Sequence, residues 1–239
     1  MSAAAVYDEL RQGVKRLEHQ IDPTAGDLRI GSTEPLVAGL LSQVVDRLSR
    51  QYPRIAFHVT QSDIVTLCDH YLRERKVDLV VGRIPPLLTQ DDFDIEPLFQ
   101  EQLFVIAGAT NKWVRRRAVA LSDLIHEAWA LPPLDSPLGL LVTEAFRANG
   151  LDPPQATVVS FSFQMYNALL ATGRFLAVAS GSILRLSGKR LSVKALPVCL
   201  PISSRTVGIV TLKNRTISPV AALFADCARE VARPLLKAT

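Results

Sequence analysis

The chain has 239 residues, of which 48% are hydrophobic, and its 27 Lys and Arg against 23 Asp and Glu give a formal net charge of +4. This length and composition suit one large or two small globular domains and argue against an intrinsically disordered chain. The small charge excess argues against a dedicated nucleic-acid surface, and the densest basic run, Arg115–Arg117, is predicted to be a solvated loop.

The first part of the chain alternates strand-like runs with helical patterns. The run "LRIG" (28–31) is followed by a helix from Pro35 to about Gln51, in which apolar residues recur at helical spacing. Then follow "IAFHVT" (55–60), a helix ending near "LRERK" (72–76), and "VDLVVGR" (77–83). This βαβαβ order, with a continuously apolar third strand, predicts parallel strands that helices cover on both faces.

The pattern changes in the middle of the chain. The runs "FDIEPLFQ" (93–100) and "QLFVIAG" (102–108) follow each other closely, which predicts either an antiparallel pair or a crossing between two domains. A second α/β unit is predicted after them. Its elements are the helix "LSDLIHE" (121–127), the strand "AWALP" (128–132), a helix from about 138 to 148, the strand "ATVVSF" (156–161), the helix "FQMYNALLATG" (163–173) and the strands "FLAVAS" (175–180) and "LSVKALPV" (191–198).

The last segment returns to the first pattern. The strand "RTVGIVTL" (205–212) precedes a long amphipathic helix, for which Ser218 is the predicted cap and Pro219 the first residue. Two α/β halves joined by extended crossings imply a ligand cleft at the carboxyl ends of the strands.

Small polar residues follow four of the predicted strands, where a helix begins. The first-turn N–H groups of a helix lack partners inside it and carry partial positive charge, so a hydroxyl there either caps the helix or helps to bind an anion. Both readings stay open for Ser32 and Thr33, which precede the helix at Pro35. Gln61, Ser62 and Asp63 follow the second strand, and the turns "PPLDSP" (132–137) and "SFSF" (160–163) occupy equivalent positions in the second half.

Six segments that together extend over nearly the whole chain stand out by their order and spacing: "AGDLRIGST" (25–33), "LRERKVDLVVGR" (72–83), "EPLFQEQLFVIAG" (96–108), "FRANGLDPPQATVVSF" (146–161), "LLATGRFLAVAS" (169–180) and "TLKNRTISPVAALFADCAREV" (211–231). In these segments the chain resembles the effector-binding domain of LysR-type transcriptional regulators. The segment "GRFLAVAS" departs from the more glycine-rich form that is usual in the family at that turn.

The resemblance implies an α/β fold of two Rossmann-like subdomains joined by two crossing strands, similar to type II periplasmic binding proteins and preceded by a short linker helix. The expected limits are 1–25 for the end of the linker helix, 26–103 with 205–239 for subdomain I, and 104–204 for subdomain II. Full-length members bind DNA through an N-terminal winged helix-turn-helix, which is absent from this chain, so the chain is either truncated or a free-standing sensor. A homodimer or homotetramer is implied, with helix 35–51 against the second subdomain of the mate.

A small-molecule effector in the interdomain cleft is also implied by the resemblance, with a sugar, a sugar acid or an aromatic acid as the expected class. The residues implied to line the cleft are Ser32, Thr33, Ser62, Asp63, Pro133, Asp135, Ser136, Phe161 and Ser162. Ser32 and Thr33 are expected to donate to an effector carboxylate or hydroxyl, and Phe161 to pack against its apolar body. Asp63 and Asp135 either cap a helix or contact hydroxyls or an amine, because a carboxylate repels an anionic effector.

Motifs for catalysis and for metal or nucleotide binding are missing from the sequence. It contains no GxGxxG, GxxxxGK[ST], GxSxG or HExxH pattern, so neither catalytic residues, nor a metal, nor a cofactor is predicted, and the chain is not expected to be an enzyme. Cys68, Cys199 and Cys227 lack CxxC spacing and are expected to be reduced and buried.

The N-terminus carries no signal-peptide core and no segment matches a membrane span, so a cytoplasmic location without a membrane partner is predicted. The alternatives are a solute-binding protein of a transporter, which the missing signal sequence disfavours, and a small enzyme on the same scaffold.

Overall fold

The computed structural model describes residues 3–22, 24–85, 88, 92–201 and 204–236. The chain divides into two compact units. Unit 1 contains Met1–Gln100 and Arg205–Thr239, and unit 2 contains Glu101–Ser204. In the sequence, unit 2 is therefore an insertion within unit 1.

Helices and strands alternate along most of the described chain. The helices are α1 (Ala3–Ile21), α2 (34–51), α3 (64–72), α4 (Pro137–Ala148), α5 (Phe163–Ala171), α6 (Gly181–Leu191) and α7 (Pro219–Leu236). The strands are β1 (Ala25–Ser32), β2 (Arg54–Gln61), β3 (Leu79–Arg83), β4 (Phe93–Glu101), β5 (Leu103–Gly108), β6 (Ala128–Leu131), β7 (Ala156–Val159), β8 (Phe175–Ser180), β9 (Val193–Ala195) and β10 (Arg205–Leu212). Short 3-10 turns lie at Lys112–Arg115 and Leu121–Leu124.

Unit 1 is built on a five-stranded sheet with the order β2-β1-β3-β10-β4. Strand β1 is parallel to both β2 and β3, whereas β10 is antiparallel to β3. Leu28, Ile30, Val80 and Val81 in the central strands are fully buried, as expected for strands covered on both faces. The predicted βαβαβ order and its parallel strands are thus confirmed.

Helices α2 and α3 follow β1 and β2, and each contains a π-helical segment after its first three residues. The segments are Val37–Leu41 in α2 and Leu67–Leu72 in α3. The wider π turn changes the pairing of the backbone carbonyls. In α2 the Ser42 hydroxyl lies 3.0 Å from the carbonyl oxygens of both Ala38 and Gly39. In α2 the first turn is therefore offset from the α-helical remainder, whereas in α3 the π segment extends to the end of the helix.

Unit 2 has its own five-stranded sheet, with the order β7-β6-β8-β5-β9. Strand β6 is parallel to β7 and β8, and β5 is antiparallel to β8 and β9. The core contains Trp129 and Phe146, whose rings meet edge to face with centroids 5.7 Å apart. The Trp129 indole Nε1 donates to the Leu124 carbonyl at 2.8 Å, so its polar atom is paired inside the core.

Several sequence predictions are decided by these elements. Strands β4 and β5 belong to different sheets, so the crossing reading is correct and the antiparallel pair is wrong. The predicted helix at 121–127 is only a 3-10 turn, while helix α6 was not predicted at all. Ser218 caps α7 as predicted, because its hydroxyl accepts the Ala221 N–H at 3.2 Å.

The three cysteines do not share one environment. Cys68 and Cys227 are buried, as predicted, but Cys199 is exposed, which corrects the expectation that all three are buried. Burial in an apolar cluster raises the pKa of the Cys68 thiol to about 12. Cys68 therefore stays protonated at neutral pH.

Helix α1 packs on unit 1 through its polar face. The buried side chains among those described in α1 are Asp8 and Gln12. The opposite face exposes an apolar stripe at helical spacing, formed by Tyr7, Leu10, Val14, Leu17 and Ile21. Lys15 links the helix to the start of β1 through its ammonium group, 2.8 Å from Asp27 Oδ2.

Candidate functional site

Unit 1 brings two of its strand-to-helix turns together. Strands β1 and β2 are parallel neighbours with Ser32 opposite Gln61, so the turns that lead from each strand to the next helix lie at the same edge of the sheet. The Ser62 N–H donates to the Ser32 carbonyl at 3.4 Å. We call Ser32, Thr33, Ser62 and Asp63 the unit 1 turns, and all four are predicted site residues.

Neither hydroxyl of the first turn caps α2. Ser32 is 0% exposed, and its Oγ donates to the Val81 carbonyl of β3 at 2.8 Å. Thr33 occupies the N-cap position with extended backbone angles, but its side chain makes no capping hydrogen bond. Of the two alternatives left open for Ser32 and Thr33, capping is therefore wrong. Since the one hydroxyl proton of Ser32 is already used, Thr33 is the hydroxyl of this pair that can donate elsewhere.

Asp63 caps α3. One carboxylate oxygen, Oδ1, accepts the N–H groups of Val65 and Thr66 at 3.1 and 3.0 Å. Burial raises the pKa of this carboxyl, but the hydrogen bonds from Thr66 and Val65 lower it by more, so its pKa lies below the ordinary range. Asp63 is exposed, and Ser62 Oγ lies 3.5 Å from its second oxygen. The unit 1 turns therefore carry a fixed negative charge at neutral pH.

Unit 2 brings together its own two turns in the same manner. Strands β6 and β7 are parallel neighbours with Leu131 opposite Val159, and the Ser160 N–H donates to the Leu131 carbonyl at 3.0 Å. The predicted site residues at this edge, which we call the unit 2 turns, are Pro133, Asp135, Ser136, Phe161 and Ser162.

Serine side chains cap both helices of the unit 2 turns. The hydroxyl of Ser136 accepts the Gly139 N–H at 3.1 Å and donates to the Pro133 carbonyl at 2.6 Å. Ser162 accepts the Met165 N–H at 3.2 Å. Because Ser136 is the cap of α4, the capping alternative for Asp135 is wrong, and the Asp135 side chain is exposed.

Phe161 is the exposed apolar residue of the unit 2 turns. Its ring is 66% exposed, which is unusual for a large aromatic side chain and leaves a flat apolar surface open to a partner or ligand. The turn that carries it is held by Tyr166, whose phenol donates to the Ser160 carbonyl. The side chain of Tyr166 was not singled out from the sequence.

Another helix mouth of unit 2 is filled by a residue that sequence reasoning missed. Strand β8 leads into α6, where the Ser182 N–H lies 3.0 Å from Glu101 Oε1 and the Ser182 hydroxyl 2.6 Å from Oε2. Both residues are buried. The Glu101 carboxylate thus accepts hydrogen bonds at the N-terminus of α6, where the partial positive charge of the helix favours an anion. The missing prediction of α6 hid this role of Glu101.

The four strand-to-helix turns differ in whether a side chain caps the N-terminus of the helix that follows. Asp63, Ser136 and Ser162 cap α3, α4 and α5, whereas the mouth of α2 has Thr33 at the N-cap without a side-chain cap. The α2 mouth is therefore the one of these four without a side-chain cap, and because its first turn contains the Glu34 carboxylate and Pro35, which has no N–H, the donor that it offers is the Thr33 hydroxyl.

The described parts of the chain contain neither a metal-binding cluster nor a membrane-spanning helix. Within them, no group of three or more His, Cys, Asp or Glu is placed to hold a metal ion. None of the described helices combines the length and the apolar character needed to cross a membrane.

Comparisons with known proteins agree on one family. The model of the LysR substrate binding domain family matches residues 22–233. The HTH-type transcriptional regulator GbpR of Azospirillum brasilense is 26% identical over 220 residues, which cover 91% of this chain and 64% of GbpR. The regulator GalR of Pseudomonas putida is 26% identical over 222 residues, which cover 91% of this chain and 55% of GalR. This chain is thus clearly shorter than both relatives.

Solved structures agree on the fold. The regulatory domain of CcmR from Synechocystis PCC6803, in complex with 2-PG, superposes with a TM-score of 0.71 at 19% identity, covering 88% of this chain and 99% of that one. The effector-binding domain of QuiR in complex with shikimate has a TM-score of 0.67 at 18% identity, covering 89% and 99%. These matches confirm the predicted fold class of two α/β units of the type II periplasmic-binding-protein kind.

Proposed function

The chain belongs to the LysR substrate binding domain family, and we propose that it is the effector-binding regulatory domain of a LysR-type transcriptional regulator. It binds a small molecule and converts its occupancy into a change of dimer or tetramer geometry that controls transcription. Its relatives are transcriptional regulators, which supports this role and a cytoplasmic location over a transporter's solute-binding protein. We assign contacts with DNA to residues outside this chain.

The open mouth of α2 beside the Asp63 carboxylate is the observation that carries this proposal. The Thr33 hydroxyl favours a ligand carboxylate or hydroxyl, while the Asp63 carboxylate accepts from hydroxyls or an amine and repels a second anion. A sugar acid, another hydroxylated carboxylic acid or a sugar meets both requirements, whereas an aromatic acid without a hydroxyl meets only the first.

A thermal-shift screen of the purified chain against sugar acids, sugars, aromatic acids and amino acids tests the proposal. A ligand at about 100 times its Kd adds ~2.7 kcal/mol to the unfolding free energy. For a chain of this size each kcal/mol raises Tm by about 2–4 °C, so a specific ligand should raise Tm by roughly 5–11 °C. The absence of any shift over this chemical range would contradict an effector role.

Two threonine variants give the screen a matched comparison. Thr33→Val removes the hydroxyl at the α2 mouth and keeps the side-chain shape. Thr211→Val makes the same change in β10, which is separated from β1 by β3 in the same sheet. We expect Thr33→Val to weaken the hit and Thr211→Val to leave its Kd unchanged. Equal ligand Kd values for the two variants would show that the Thr33 hydroxyl does not contact the ligand.

We propose no covalent step for this chain. The family and the relatives are regulators, so a ligand found in the screen should be recovered unchanged after long incubation with the protein, as measured by mass spectrometry. Conversion of the ligand at a rate proportional to protein concentration would favour the enzyme alternative instead.

A homodimer is the proposed minimal assembly, with α2 of one copy against unit 2 of the other. Exposed apolar side chains of unit 2, namely Leu140, Val159 and Met165, give such a partner an apolar surface. Sedimentation measured from below to well above micromolar concentration tests this assembly. A chain that remains monomeric over that range would contradict the dimer.

A further inference from the structure

Helix α1 is held on unit 1 with little help from apolar burial. Every apolar side chain larger than alanine that the structure describes in α1 is exposed, by between 43% at Val6 and 86% at Ile21. The described side chains that it does bury are polar: Asp8 is 4% exposed and Gln12 is 1% exposed. The hydrophobic effect scales with the apolar area removed from water, so another interaction has to fix this helix.

Asp8 meets two arginines of unit 1. Its carboxylate forms a bidentate pair with Arg215, in which Nε lies 2.8 Å from Oδ2 and Nη2 lies 3.0 Å from Oδ1. Arg75 adds a third contact, 2.7 Å from its Nη1 to Oδ2. Paired fork geometry of this kind gives the strongest and most directional hydrogen bonds that side chains form.

Arg215 is itself anchored in the sheet of unit 1. The guanidinium is buried, and it donates to the Val77 carbonyl at 2.8 Å and to Asp78 Oδ1 at 2.9 Å. Asp78 is in turn held by Arg29 of β1, whose Nη2 lies 2.8 Å from Oδ1 and whose backbone N–H lies 2.9 Å from Oδ2. Within this network, Arg215 and Arg75 form a cationic socket that unit 1 supplies and Asp8 fills.

We propose that Asp8 and the socket of Arg215 and Arg75 form a latch that locks α1 onto the rest of unit 1, so that the helix moves with the sheet of this unit as one body. The latch also sets the rotation of α1: a shift by one residue would turn Asp8 away from the socket by about 100°. With Asp8 seated, the apolar stripe of Tyr7, Leu10, Val14 and Leu17 points away from unit 1.

The energetics of buried charge make the latch testable. Removal of one partner from a buried ion pair leaves the other desolvated and unpaired, which costs more than the pair itself contributes. In Asp8→Asn, an amide NH2 replaces one carboxylate oxygen and faces an arginine donor, whereas the side-chain volume hardly changes. The matched control is Glu18→Gln, which makes the same chemical change on an exposed side chain of the same helix.

Hydrogen exchange of the intact chain, followed by mass spectrometry, measures the outcome. The α1 amides of Asp8→Asn should exchange roughly tenfold to a hundredfold faster than in the wild type. Amides of β1 and β3 should keep their protection, and Glu18→Gln should behave like the wild type. Arg75→Gln, which leaves the pair of Arg215 with Asp78 in place, should accelerate α1 exchange in the same direction by a smaller factor.

Two results would overturn the latch. If α1 exchange stays at the wild-type rate in both Asp8→Asn and Arg75→Gln, other contacts hold the helix. If β1 and β3 lose protection in parallel with α1, the helix has no separate attachment and unfolds only together with the sheet. The effector is not needed for this measurement, so its result is independent of the proposed function.

Discussion

Replacing Ser136 with alanine removes the cap of α4 at the centre of the unit 2 turns. The Pro133 carbonyl keeps a partner, because the Ser136 backbone N–H also donates to it at 3.0 Å, but the Gly139 N–H loses the hydroxyl. A Cβ added at Gly139 would lie 2.0 Å from the Pro133 oxygen, so the turn is closed tightly and leaves little room for water to replace the hydroxyl. An unsatisfied buried N–H costs about 1–3 kcal/mol, and we expect a loss of ~2 kcal/mol.

Tryptophan fluorescence during urea unfolding is a specific assay for this loss. The two tryptophans, Trp113 and Trp129, both lie in unit 2, so their signal reports the unit that contains the cap. Ser162→Ala is the matched control: it removes the cap of α5 at a more exposed turn, where water can replace the hydroxyl, and should cost only ~0.5–1 kcal/mol. A loss for Ser136→Ala no larger than that of the control would refute the reasoning.

Three further predictions concern packing, pH and thiol reactivity. Phe146→Ala removes a fully buried ring and should lower the unfolding free energy by about 3–5 kcal/mol in the same assay, against a clearly smaller loss for Phe146→Leu. Burial raises the pKa of Asp63, but the capping hydrogen bonds lower it by more and hold it below the ordinary value of 3.8. The stabilisation by the ionised Asp63 carboxylate is therefore present above pH 3.8 and is lost as the pH falls through the lowered pKa. The stability difference between wild type and Asp63→Asn should therefore vanish in acid, and a difference independent of pH would contradict the cap. A thiol reagent should label exposed Cys199 rapidly and buried Cys68 slowly, and Cys199→Ser should abolish the fast phase.

Local signals were sufficient for much of the fold. The start of α7 was predictable because a serine cap followed by proline acts within one turn, and the Ser218 hydroxyl does accept the Ala221 N–H. The parallel strands of unit 1 were predictable because strands buried on both faces read as continuous apolar runs, as at Val80 and Val81.

The features that escaped prediction depend on partners far away in the sequence. Helix α6 begins against Glu101, which is 81 residues from its partner Ser182. The Ser32 hydroxyl bonds to Val81, 49 residues away, so its local sequence favoured a cap that the fold does not use. For the predicted site, the turns within each unit were placed side by side by strand register, while the contribution of each residue to a ligand stays a prediction.

The insertion of unit 2 has a consequence for the order in which the chain folds. Strand β10 lies between β3 and β4 in the sheet of unit 1, yet it follows unit 2 in the sequence. When residue 204 leaves the ribosome, all strands of unit 2 have been synthesised. Unit 1 still lacks β10, the strand that connects β3 to β4 in its sheet. Domains fold as units during synthesis, so unit 2 should mature first and residues 205–239 should complete unit 1 last. A substitution that destabilises residues 205–239 is therefore expected to destabilise unit 1, although most of unit 1 precedes unit 2 in the sequence.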